Sequence, residues 1–119
     1  EDLNKYASGG KPVVIFQHYG VDDFSLEWWS EEERETLYQT IKDYNVVAIF
    51  VGHNHFPEVN EWKGIPIIQV NNGWQDRDGN GSFVVCRITN EFIDVVTCRW
   101  LNGEGDVELV APFYTKKFN

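Results

Sequence analysis

The chain has 119 residues, 42% hydrophobic and 15% aromatic, with a formal charge of −9 because Asp and Glu outnumber Lys and Arg by 19 to 10. That length makes one domain, or part of one, with ample apolar material for a core. The acidic surface repels a phosphate backbone, which argues against broad nucleic-acid binding, and no run of about 18 apolar residues exists to span a membrane. A phosphorylated ligand stays compatible with this charge where bound cations reverse the local field.

Residues 1–11 carry charges, two glycines and no periodicity, and read as an exposed lead-in. They lack the basic and apolar regions of a signal peptide, although a signal removed earlier would leave no trace. Pro12–Gln17, PVVIFQ, reads as a short buried strand, with proline at the first position where its missing N–H does least harm. It ends at His18, followed by Tyr19 and Gly20. Residues 20–29, GVDDFSLEWW, have no clean period. They are either a loop whose Phe24, Trp28 and Trp29 plug the edge of the core, or a rim facing substrate, since the segment leaves His18 directly.

Ser30 and Glu33 form an S-x-x-E capping box, and Glu31 to Glu33 place negative charge on the positive end of a helix. Leu37, Ile41 and Tyr44 keep one apolar stripe, so this helix, over 31–44, lies on a sheet. Val46–Val51, VVAIFV, is wholly apolar and reads as a strand buried on both faces. It stops at Gly52, which can turn sharply because it has no Cβ, and His53 and His55 follow at its mouth. The chain has three histidines, and each follows an apolar strand near a glycine. Strand 12–17, helix 31–44 and strand 46–51 make a right-handed β-α-β unit with parallel strands. Side by side, those strands bring His18 near His53 and His55, at the carboxyl ends where open α/β sheets place ligands.

The remainder reads as β. Phe56–Trp62 leads through Lys63-Gly64 into Ile65–Val70, and Asn71–Gly81 is the longest loop. Ser82–Thr89 and Phe92–Trp100 read as an antiparallel hairpin turning at Asn90-Glu91, with Arg87 opposite Asp94. In that register Cys86 and Cys98 point to opposite faces, so both read as free thiols, which leans towards a reducing, cytoplasmic compartment. Residues 101–106 are a turn, Val107–Tyr114 a last strand, and Lys116-Lys117 a solvated tail.

Three imidazoles suffice for one zinc ion, so a mononuclear His₃ hydrolase is one reading of these residues. VIFQHYG (Val14–Gly20) and VGHNH (Val51–His55), separated by a helix and a strand, resemble the last two motifs of the calcineurin-like metallophosphoesterases: a lone histidine after a strand, then G-H-x-H. The likeness covers about residues 12 to 74 and implies that the chain, 1–119, is a single C-terminal segment of such a domain. The implied fold is α/β, part of an α/β/β/α sandwich in which a β-α-β unit is followed by antiparallel strands. It implies His18 and His53 as ligands of one metal and His55 of the other, with Tyr19 and Asn54 beside them as substrate contacts. The implied cofactors are two divalent metal ions (Zn, Mn or Fe), and the implied reaction is phosphoester hydrolysis of a phosphorylated substrate. The family's D-x-H, G-D-x-x-D and G-N-H-[DE] motifs do not occur in these 119 residues. The resemblance therefore implies the N-terminal half of the domain as a partner, and no hydrolysis by this chain alone. A non-catalytic fragment that binds through Trp28, Trp29, Trp62 and Trp74 is the reading from a different class.

Overall fold

The computed structural model describes residues 1–75, 79–101 and 105–118. Among the described residues seven strands form two sheets. The first holds β1 (Val13–Phe16), β2 (Val46–Val51), β4 (Ile65–Gln69) and β3 (Glu58–Trp62), in that spatial order. β1, β2 and β4 are parallel, and β3 pairs antiparallel with β4 across the Lys63-Gly64 turn. Both turn residues take positive φ, 50° and 80°, the backbone a tight two-residue hairpin needs. The second sheet is antiparallel: β5 (Ser82–Ile88), β6 (Phe92–Trp100) and β7 (Val107–Lys117).

β2 lies inside the first sheet with all six residues buried, as its unbroken apolar run demands. Alternation sends its side chains to two cores. Val46, Ile49 and Val51 pack with Ile65, Ile67 and the helix α2 (Glu31–Ile41) through Ile41 and Leu37. Ala48 and Phe50 pack with Ile68, and with Ile93 and Val95 of the second sheet. Helix, sheet and sheet thus form three stacked layers, part of the expected sandwich. Among the described residues no helix covers the outer face of the second sheet. No helix among the described residues is long and apolar enough to cross a membrane.

The Ser30 cap forms as its sequence requires. Its hydroxyl accepts from the Glu33 N–H, and the Glu33 carboxylate accepts from the Ser30 N–H at 2.9 Å. α2 stops at Ile41 rather than running to residue 44. Tyr44 packs on the same core from beyond the helix, so the apolar stripe outlasts the helical hydrogen bonds.

Three other expectations need correction. Residues 1–11 contain a short helix, α1 (Asp2–Tyr6), whose Leu3 packs on the core while the following Ala7 is buried. β1 is an edge strand and only half-buried, with Phe16 74% exposed although stacked on Phe50, because nothing among the described residues pairs with its other side. Lys116 and Lys117 are not a loose tail, since they lie in β7 opposite Ile93 and Phe92. The β5–β6 hairpin has the expected register: Cys86 faces Val95, Cys98 faces Phe83, Arg87 faces Asp94. The cysteines are both free, Cys86 exposed and Cys98 buried. The loop 71–81 and the turn 101–106 lie partly outside the described residues.

Candidate metal centre

The carboxyl ends of β1 and β2 carry the histidines. Pairing runs past both strands, because the Gln17 N–H donates to the Phe50 carbonyl and the Gly52 N–H to the His18 carbonyl, at 3.0 and 2.9 Å. These bonds fix His18 directly beside the turn that follows β2. Gly52 lies against it: a Cβ there would meet His18 Nδ1 and its carbonyl at 3.8 Å. Gly52 is not, however, the residue that makes the sharp turn. His53 and His55 take the left-handed backbone, with φ of 72° and 57°. A side chain in that region costs about 1–2 kcal/mol, and such residues concentrate at functional sites.

The turn points His53 Nδ1 at His18 Nε2, 3.4 Å away. His53 Nε2 is buried and has no hydrogen-bond partner. Two nitrogens bound tetrahedrally to one zinc at about 2.0–2.1 Å would stand about 3.3–3.4 Å apart. The separation matches two adjacent ligands of one cation, and equally a long hydrogen bond between the two imidazoles. His55 does not join them in a three-residue group: among the described residues no three His, Cys, Asp or Glu side chains gather as a metal site. His55 lines the same pocket as His53, with its Nδ1 3.4 Å from the Asn72 amide.

Of the two expected substrate contacts, Asn54 lines that pocket. Its amide donates to Gln69 Oε1 at 3.0 Å, which pins it to β4, and its Oδ1 is buried without a partner. Tyr19 is half-buried and serves as packing, edge-on to His18 and His53 and stacked on Trp28.

The segment 20–29 contains a 3₁₀ turn, Phe24–Glu27, whose aromatics divide between two jobs. Phe24 stacks on His53 with ring centroids 5.2 Å apart, and Trp28 meets it edge-on at 4.6 Å. Both are exposed and line the pocket, as the rim reading expects. Trp29 turns away and packs near Trp62. The four tryptophans therefore do not form one binding surface.

Arg34, which composition gave no reason to single out, holds this segment. It is 3% exposed, and its guanidinium donates to the carbonyls of Val21, Asp22 and Trp29 at 2.7, 2.9 and 3.0 Å. Asp22 closes the other end by accepting from the Ser25 N–H and hydroxyl at 3.1 and 2.9 Å. Burial pushes the Asp22 carboxyl up, but hydrogen bonds from Ser25 and Asn54 outweigh it and hold the group below its ordinary value.

No protein-family model matches this chain. No curated protein matches it in sequence. Among solved structures it is similar to Vps29 from Chaetomium thermophilum, with a TM-score of 0.59 at 10% identity, over 92% of this chain and 57% of that one. A single mutant of Vps29 from Entamoeba histolytica gives a TM-score of 0.49 at 19% identity, over 85% and 53% of the two chains. Wild-type Vps29 from the same organism, complexed with Zn²⁺, gives 0.48 at 20% identity, over 76% and 49%. The chain thus spans about half the length of the structures it resembles. The Chaetomium likeness is one of fold, a metallophosphoesterase-like sandwich.

Proposed function

We propose that this chain supplies the histidine half of a two-metal phosphoesterase centre, with His18 and His53 holding one divalent cation and His55 the other. The observation that carries this reading is the His18–His53 nitrogen pair at 3.4 Å, set at the carboxyl edge of parallel strands. Bound there, the cations would activate water and offset charge on the phosphoryl oxygens. The residues of this chain do the rest. Neutral imidazoles bind cations without cancelling their charge, so a net positive field is left for phosphate. Asn54 lines the pocket, its carbonyl oxygen buried and without a hydrogen-bond partner. Phe24 and Trp28 cover one side of His53 and limit water there.

Hydrolysis belongs to the complete domain. Each cation takes four to six ligands, and two cations about 3.5–4 Å apart repel unless a carboxylate bridges them. Among the described residues no third His, Cys, Asp or Glu gathers with the His18–His53 pair as a metal site. An aryl phosphate and a phosphodiester, assayed with Mn or Zn, should be turned over only when the complementary N-terminal half is added. Turnover by this chain alone, abolished in His53→Ala, would instead establish a mononuclear hydrolase.

A second reading, a non-catalytic binding module, is favoured by the outer face of the second sheet. Val85, Val96 and Phe113 align across its three strands, as do Phe83, Cys98 and Leu109. Val85, Leu109 and Phe113 are 55%, 64% and 59% exposed, a group of apolar side chains open to a partner. A variant with Leu109→Lys and Phe113→Lys separates the two. It should leave zinc binding by the histidines intact and abolish any association through this face.

A further inference from the structure

We infer that the pocket beside the histidines binds an uncharged planar ring, of nucleobase or aryl type, carried by the phosphoester. The inference rests on the phosphoesterase reading for where the phosphate sits, but its own evidence is the wall of the pocket. The cavity holds about 1110 Å³, above the usual range for small-molecule sites and far more than a phosphate group needs. It runs from His53 and His55 past Phe24 and Trp28 to Phe56 and Trp74. Those four aromatics are 61%, 42%, 47% and 74% exposed. Large rings left partly in water around one cavity offer open faces on which a planar ligand can stack.

Two of these rings are held rather than loose. Phe24 and Trp28 sit on the segment anchored by Arg34 and Asp22, and both pack on His53. Trp74 is set by its backbone: the Ser82 N–H donates to the Asn72 carbonyl at 2.9 Å, and a Cβ on Gly81 would fall 2.3 Å from the Trp74 nitrogen. Only glycine permits that approach, so the strand start and the loop bearing Trp74 are locked together. Phe24 and Trp28, fixed in advance, lose little freedom on stacking, which is how a binding wall gains affinity.

Aromatic walls also take organic cations, particularly with carboxylates near. Asp22 and Glu58 do line this pocket. The Asp22 carboxylate, however, is committed to Ser25, and the Glu58 carboxylate accepts from the Asn60 amide at 2.7 Å. Both carboxylates stay charged, but their oxygens are already hydrogen-bonded, whereas the ring faces are the larger open feature of the wall. That balance favours an uncharged ring, with choline as the test of the cation alternative.

The test uses adenosine, which has a ring and no phosphate, titrated into the chain with a chelator present and followed by ligand-observed NMR. Ribose and choline serve as the sugar and cation controls. Saturable adenosine binding is expected, weakened about tenfold by Trp74→Ala and similarly by Trp28→Leu, with no comparable binding of ribose or choline. Trp74 is largely exposed, so its replacement tests the wall without threatening the fold. Absence of saturable binding, indifference to both tryptophan substitutions, or choline binding as tight as adenosine would each overturn the inference. A parallel zinc titration keeps the two ideas apart. Zinc binding indifferent to His18→Ala and His53→Ala would defeat the phosphoesterase reading, while the adenosine result would decide the ring site on its own.

Discussion

His18 Nε2 and His53 Nδ1 face each other at 3.4 Å although 35 residues separate them in the chain. Their meeting is a product of topology. Parallel pairing of β1 with β2 sets Phe16 beside Phe50, and the extra bond from the Gly52 N–H to the His18 carbonyl carries the register to the histidines. Because both strand ends are tied by backbone hydrogen bonds, the separation of the two rings is set before any ligand arrives. On the proposed reading that is preorganisation, which would confine the cost of binding to the ligand.

Zinc affinity should follow this geometry. His18→Ala and His53→Ala are each expected to weaken the first equivalent of zinc at least about tenfold, since either removes half of the preformed pair. His55→Ala should matter less for that equivalent, because His55 is not gathered with the other two. Isothermal titration of the four proteins checks the ranking. Equal losses for all three variants would mean that His55 swings in as a full third ligand of the same ion.

Arg34 is expected to be the most sensitive polar position outside the histidines. Arg34→Met keeps aliphatic bulk near Trp29 but strands three carbonyl groups, and should cost about 2–4 kcal/mol in urea unfolding. Arg34→Lys should recover little, because a single ammonium cannot reach the three carbonyls that the planar fork spans. In both variants, amide exchange over residues 21–29 should accelerate more than exchange in β2.

The core architecture was legible because its signals are local and strong. Val46–Val51 is apolar throughout and therefore buried on both faces, Ser30 and Glu33 sit at capping-box spacing, and Asn90-Glu91 fixes the hairpin register. What escaped depends on contacts made across the chain. The half-buried state of β1 follows from its place at the sheet edge, which its apolar run does not reveal. Arg34 falls on the buried side of α2, where a charged residue signals nothing until its carbonyl partners 5 to 13 residues away are known. The left-handed backbone at His53 and His55 was hidden by Gly52, the residue expected to turn. Phe24 and Trp28 could be read either as core plugs or as a rim, and only the turn at Phe24–Glu27 directs them to the pocket.

Acid should loosen the segment that carries these rings. The Asp22 carboxyl lies below its ordinary 3.8 in the folded chain. A depressed carboxylate contributes stability that is fully present above its unfolded value and is lost as pH falls through the folded one. Below about pH 4, therefore, the hold of Asp22 on Ser25 weakens, and the indole N–H resonance of Trp28 should shift or broaden. In Asp22→Asn that acid-dependent change should vanish. Persistence of the same transition in the variant would assign it to another carboxylate.

The two thiols should separate cleanly in a labelling experiment. Cys98 is buried on β6 between Phe83 and Leu109, and should react with N-ethylmaleimide only after unfolding. Cys86 is exposed on the edge strand β5 and should react in the native chain, but more slowly than a free thiol. Its thiol is pushed above the ordinary 9.0, first by partial burial and then by the Asp94 carboxylate, so less thiolate is present at neutral pH. The native rate should accordingly keep rising as pH passes 9.0. Asp94→Asn should raise it only modestly, since burial is the larger cause and stays in place. That substitution also removes the ionic partner of Arg87, while the amide oxygen can still accept from Thr115, so native Cys98 protection must be confirmed in it. If Cys86 in the unsubstituted chain reacts as fast as a free thiol, or if Cys98 labels in parallel with it, the second sheet does not hold the register described above.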